Sequence, residues 1–207
     1  RLPQLVKPLE VIALRANSDD PFAQNTVTAE DLRKQNAGKD LPILLDQTAS
    51  TVTYSDAGAG VGYTGLRIRG ADITRINVTI DGVPVNDAEG QMVFWVNTPD
   101  LASSVNDIQI QRGAGSSTNG AGSFGASINV STNKFNPKPY VETAASYGSF
   151  NTLKTTLNAG TGLIANRLTL DARASRIVSD GYVDRGSSNL QSFFVSGAYW
   201  GKKTTIR

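Results

Sequence analysis

The side chains that could do chemistry in this 207-residue chain lack the partners that catalysis needs. It has no histidine and no cysteine. Ser-His-Asp and Cys-His sets are therefore excluded, as are disulfides and thiolate metal sites. Asp87 and Glu89 lie close together, but two carboxylates are too few for a Ca²⁺ site, and no carboxylate pair suggests acid–base work. The chain reads as a non-enzyme with no cofactor and no metal. Two stretches have the composition of a binding surface instead. Residues 56–64 carry Asp56 and Tyr63; residues 86–95 carry Asp87, Glu89, Gln91, Met92, Phe94 and Trp95. Apolar and aromatic groups beside a few polar ones are what a ligand site requires. Plain packing is the alternative for Tyr63, Phe94 and Trp95. Arg69 and Arg112 each precede a glycine at the end of a β-type run. A guanidinium fork grips a carboxylate in a bidentate way. The glycines at 58–62 and 113–125 are not followed by Gly-Lys-Ser/Thr, so they do not read as phosphate loops.

Lys and Arg number 20 and Asp and Glu 18, giving a net charge of +2, and the basic residues are dispersed. That argues against nucleic acid as a partner. No apolar run approaches the ~18 residues of a transmembrane helix. Transmembrane barrel strands give a far weaker signal per segment, so a membrane protein remains open. The chain runs from Arg1 to Arg207 and stops inside a strand-like pattern, as a piece of a longer protein would.

The elements that position these residues fall into three zones. Residues 1–27 read as a leader, with three prolines and one apolar patch, Val11-Ile12-Ala13-Leu14. Residues 28–134 read as an α+β domain. Thr28 can cap a helix with Asp31 three residues on, and Asp40 can cap a second one that has Pro42 in its first turn. The period then changes to two, giving strands over 51–55, 66–69, 75–80, 83–85, 105–111 and 127–131. Asp81-Gly82 is a two-residue hairpin turn. Residues 133–139, with two prolines, read as a linker. Beyond it, 151–159, 167–175 and 191–199 alternate over the ~9–11 residues a tilted transmembrane strand needs. Aromatic residues Tyr140, Tyr147, Phe150, Tyr199 and Trp200 sit near strand ends, as in an aromatic girdle. Periodicity alone leaves a soluble β-sandwich with one wet face open.

Four segments in order carry a resemblance. They are Leu66-Arg67-Ile68-Arg69-Gly70, Ile80-Asp81-Gly82-Val83-Pro84-Val85-Asn86-Asp87, Ile108-Gln109-Ile110-Gln111-Arg112-Gly113 and Gly122-Ser123-Phe124-Gly125-Ala126-Ser127-Ile128-Asn129-Val130. In this order and spacing they resemble the plug domain of TonB-dependent outer-membrane receptors. The motifs cover about residues 9–134, and 135–207 is similar by style to the first strands of the barrel. The resemblance implies a plug with a mixed four- to five-stranded sheet and short helices, then antiparallel transmembrane barrel strands. In that family a barrel of ~22 strands encloses the plug. The implied function is energy-coupled uptake of a scarce nutrient across the cell outer membrane. The implied partners are a periplasmic TonB-type energy-coupling protein, outer-membrane lipid, a small ligand (siderophore, corrinoid, oligosaccharide or peptide) and a possible surface lipoprotein. Leu9, Glu10, Val11, Ile12, Ala13 and Leu14 loosely resemble the TonB box, which pairs by β-augmentation. The loops at 56–64 and 86–95 would lie at the plug apex. Arg69 and Arg112 would meet glutamates of the barrel wall, with a local plug salt bridge as the alternative. A plugged channel with a secretion or signalling role and a soluble β-type binding module are the competing readings.

Overall fold

The computed structural model describes residues 15–16, 20–114, 123–132, 136–201 and 204–207. Along the chain the elements are β1 (Ala23–Thr28), α1 (Ala29–Gln35), α2 (Leu41–Leu44), β2 (Thr51–Ser55), β3 (Thr64–Ile68), β4 (Ile76–Ile80), β5 (Val83–Pro84), β6 (Asp107–Arg112) and β7 (Ala126–Ser131). Then follow β8 (Tyr140–Gly148), β9 (Thr152–Gly160), β10 (Leu168–Ser179), β11 (Ser188–Trp200) and β12 (Thr205–Ile206).

Local chemistry explains the first half. Thr28 Oγ1 accepts from the Asp31 N–H, and the Asp31 carboxylate accepts from the Thr28 N–H. This reciprocal box starts α1, whose Leu32 enters the core. Asp81 and Gly82 take φ of 49° and 84°, closing the hairpin between β4 and β5. Five strands form a mixed sheet in the order β1-β6-β7-β4-β5, in which β4 and β7 run parallel. A separate hairpin, β2–β3, lies beside it. Ile76, Val78, Ile108, Ile110, Ile128 and Val130 pack one face of the sheet into a core with Leu32, Leu44, Leu45, Leu66 and Leu101.

Two details depart from the sequence pattern. Ala23–Thr28, which the pattern leaves in the leader up to residue 27, is an edge strand paired with β6 in six-residue register. Its sequence, Ala-Gln-Asn-Thr-Val-Thr, has little apolar alternation, because an edge strand held mainly by main-chain bonds does not need it. Asp40 stands at the start of α2 but makes no cap bond; its carboxylate turns instead to the Thr64 hydroxyl.

The second sheet, β12-β11-β10-β9-β8, is an open antiparallel meander. Its polarity is reversed relative to a soluble sheet. Thr152, Lys154, Thr156, Thr169, Arg173 and Ser175 are buried against the first domain. Leu153, Leu157, Leu170, Val195 and Phe193, the last 84% exposed, face outward. A soluble sandwich places its apolar residues between the sheets. Here, Ile177 excepted, polar residues lie between them and most apolar ones outside, which is the arrangement of a membrane barrel wall. Five strands do not close a barrel.

Leu157 sits near the middle of β9, outward, opposite Ala174. Leu157→Arg in the complete protein is expected to cost about 2–4 kcal/mol of folding stability in lipid. Equilibrium unfolding into vesicles measures it; a neutral result would mean that this face does not meet hydrocarbon.

Candidate functional site

Among the described residues, the first domain meets the second sheet at one charged cluster. Residues 99–100 lead into a 3₁₀ turn, Leu101–Ser104. Asp100 adopts φ 54°, a left-handed conformation that Asp and Asn accept more readily than most side chains. This geometry points its carboxylate at the wall. Lys154 of β9 lies 2.7 Å from one oxygen and Arg173 of β10 lies 3.2 Å from the other. All three side chains are withdrawn from water, at 0%, 5% and 6% exposure for Asp100, Lys154 and Arg173. The Thr156 hydroxyl donates to Asp100 Oδ2 at 2.9 Å, and the Ser103 hydroxyl to Oδ1 at 2.6 Å. Arg173 also donates to the Asp100 carbonyl at 2.7 Å, and Lys154 to the Asn36 carbonyl. Ser192 of β11 donates to the Pro99 carbonyl. Three wall strands thus grip one loop.

Burial alone pushes the Asp100 carboxyl up, but Lys154, the hydrogen bonds and Arg173 outweigh it and hold it below its usual range. A carboxyl with a lowered folded value stabilises the fold at neutral pH, and that stabilisation is lost as pH falls below about 4. Beside this clasp lies a cavity of about 690 Å³ between domain and wall, of mixed lining: Asn36, Ser103 and Arg173 with Val105, Pro139 and Phe194 among others.

The candidate residues distribute over the two ends of the molecule. At the linker end, Asp81 accepts from the Thr132 amide and hydroxyl, and Arg15 pairs with Asp107. Ala16 exchanges two 2.8 Å bonds with the Gln109 side chain. The TonB-box candidates Leu9, Glu10, Val11, Ile12, Ala13 and Leu14 lie outside the described residues. At the far end, the loop from Asp56 to Tyr63 docks on the wall. The Ala57 carbonyl accepts from the amides of Tyr182 and Val183, at 2.8 and 3.2 Å. Gly58 has φ 71° and lies so close to Tyr182 that a Cβ would sit 2.8 Å from that residue's Cβ. Tyr63 is 63% exposed.

The second loop is built on Asn86, which accepts from the Val78 amide and donates to the carbonyls of Ile76 and Gln91. Asp87 turns back onto the amides of Glu89 and Gly90, so its carboxylate organises the loop. Met92 closes it by accepting the Asp87 amide. Phe94 is exposed, whereas Trp95 is a core residue at 5% exposure, so packing accounts for it. Arg69 donates to the Arg112 carbonyl and Arg112 to the Ala49 carbonyl. Neither makes an ion pair among the described residues. Asp100, Lys154 and Arg173 form no sequence motif, because Asp100 lies 54 residues before Lys154 and 73 before Arg173, in a loop and two separate strands. The signal for Lys154 and Arg173 is a full positive charge at inward positions of strands whose inward side is mostly small and polar.

Residues 16–127, more than half of the chain, match the family model described as the TonB-dependent Receptor Plug Domain. The chain belongs to that family. In solved receptors the likeness runs through plug and wall together. It covers 89% of this chain in P. aeruginosa FpvA bound to heterologous pyoverdines (TM-score 0.71, 16% identity) and 91% in FyuA, the ferric yersiniabactin uptake receptor of Yersinia pestis (0.68, 16%). FauA, the alcaligin outer-membrane receptor of Bordetella pertussis, matches over 87% (0.68, 18%). The plug receptor chain spans 24%, 30% and 30% of those three proteins, respectively. No curated protein sequence matches it significantly. The first domain is therefore a plug, and the meander has the fold of the first barrel strands in those receptors.

Asp100→Asn in the whole receptor leaves Lys154 and Arg173 buried without a counter-charge. It is expected to cost about 3–5 kcal/mol, read by denaturant unfolding of the plug. A loss below about 1 kcal/mol would mean that water reaches the cations and the clasp is open.

Proposed function

We propose that this chain is the plug and entry wall of an energy-coupled importer of a scarce nutrient in the cell outer membrane. The observation that carries the reading is the wall turned inside out around a polar plug. Such a wall stays in lipid, and its lumen-facing bonds are of a kind water can replace. Ligand arriving from outside would meet the far-end loops, where Asp56, Tyr63, Asp87, Glu89, Gln91, Met92 and Phe94 are the contact candidates. The names of the solved relatives favour a siderophore-type ligand: FpvA is bound to pyoverdines and FyuA takes up ferric yersiniabactin. OprC is a copper transporter, so the fold alone does not choose the cargo. Corrinoid, oligosaccharide and peptide ligands, and a surface lipoprotein lid, remain compatible with the site. Arg69 and Arg112 lie at the far end of the sheet and would meet wall carboxylates there.

Coupling would enter from the opposite side. Residues 15 and 16 are tied at the linker end, to Asp107 and Gln109. Ala23, the first residue of β1, pairs with Arg112 at the far end, and Thr28 returns to Asp107. A periplasmic pull on the leader by a TonB-type protein would release Arg15 first. It would then fold Ala23 back and peel β1 from β6 one pair at a time, a loading that breaks few bonds at once. The cavity beside the clasp would give the loosened plug room to shift.

Deleting residues 1–16 from the whole receptor is expected to abolish uptake while ligand still binds to cells at wild-type affinity. Uptake at the wild-type rate would refute energy coupling through this leader. Loss of binding as well would place ligand contacts in the leader and contradict the far-end site.

A further inference from the structure

Asp40 is a buried carboxyl that the clasp does not use. Its residue is 3% exposed. Oδ2 accepts from Thr64 Oγ1 at 2.9 Å, while Oδ1 has no hydrogen-bond partner of normal geometry among the described residues. Its main-chain amide donates to the Gly60 carbonyl at 2.9 Å. Asp40 is therefore the floor on which the loop between β2 and β3 rests, tied to it at Gly60 and at Thr64. The same loop is held from above by the wall, through the Ala57 carbonyl.

No cation answers this carboxylate among the described residues. Lys39, next to it, is exposed and lays its stem along Gly60. Lys154 of β9 passes beside Gly38 but is committed to Asp100, Ser103 and the Asn36 carbonyl. Asp46, beyond α2, accepts from Thr53 of β2, and Asp56 at the start of the loop is exposed. β3 presents a hydroxyl, and the loop presents main chain. A charge at Asp40 is thus buried and nearly uncompensated, which is costly unless the group keeps its proton or meets water.

We propose that Asp40 is a proton-controlled anchor of the loop at residues 56–64: protonated, it lets the loop dock between plug and wall, and ionised, it drives the loop to lift and admit water. Burial pushes this carboxyl up to about 7, against hydrogen bonding from Thr64 and the Gly62 main chain. The sign follows from linkage. A carboxyl whose docked value is raised favours docking at low pH. That preference is lost as pH rises from about 4, the value of a carboxyl in water once the loop has lifted, to about 7, and it stays lost above. The chain has no histidine, so no side chain of ordinary pKa in it competes for this window. The functional consequence rests on the reading above that this loop faces the external vestibule: ligand access would be proton-dependent. The anchor itself does not depend on that reading.

The test is hydrogen–deuterium exchange of residues 56–64 in the full receptor, without ligand or coupling protein, corrected for intrinsic exchange. Between about pH 5 and pH 7 the opening equilibrium should rise about tenfold per pH unit, then level off. In Asp40→Asn the corrected exchange should be flat across the range. A wild-type loop with no such rise overturns the proposal, as does the same rise in Asp40→Asn. If Asp40→Asn fails to fold, infrared difference spectra of the wild type decide instead. A protonated carboxyl band present at pH 5 and gone above pH 8 supports the anchor, and its absence at pH 5 refutes it.

Discussion

The carboxylate of Asp100 reaches Lys154 and Arg173 across the gap between two sheets, and much of the structure serves to keep that contact dry. The left-handed turn at Asp100 aims it. The 3₁₀ turn behind it supplies Ser103, and the end of α1 brings Asn36 within reach of both Asp100 and Lys154. The wall contributes Thr156 and Ser192 from the strands on either side of Arg173. An ion cluster in such a place is not a large source of net stability, because desolvation consumes most of the attraction. Its effect is on register. Any other docking of plug on wall would leave one to three charges buried alone, so a single arrangement is strongly preferred.

That constraint makes sense of the rest of the interface. The wall presents apolar groups to lipid and therefore must present Ser, Thr, Lys and Arg inward, and the plug answers with main-chain carbonyls at Pro99, Asp100 and Asn36. Bonds of this type hold a plug firmly while dry and exchange readily for water once it enters. The gating proposed for this receptor, closed at rest and open under load, would need both properties. Asp40 and Asp100 show how finely burial sets the outcome. Both carboxyls are withdrawn from water. Two cations keep one ionised, and burial with no cation beside it among the described residues pushes the other towards its neutral form.

The parts of this architecture legible in the sequence are those fixed by local rules. The capping box at Thr28, the Asp81-Gly82 turn and the alternating runs of β4, β6 and β7 each state their conformation within a few residues. The family was legible for the same reason, since its motifs are turn and strand-end signals. β1 was not, because an edge strand can be polar throughout. Asp40 reads as a helix cap by its place before Pro42, yet a single-turn helix has little to gain from a cap, and Thr64, distant in sequence, offers the better bond. Trp95 reads equally as ligand platform or as core, and it is core, since the turn that carries it packs beneath β3. The clasp is the least legible element: its members lie in a Pro-Asp loop and two separate strands, and nothing local announces that they meet.

The central claim is that Asp100, Lys154 and Arg173 act as one unit joining plug to wall. The direct measurement is the cost of Asp100→Asn in two backgrounds of the whole receptor, the wild type and one carrying Lys154→Met with Arg173→Met. If the three form a single buried cluster, most of the cost disappears in the second background, because no charge is left stranded. The coupling energy should then exceed about 2 kcal/mol. If the substitution costs the same in both, within about 0.5 kcal/mol, the residues act independently and the clasp does not exist.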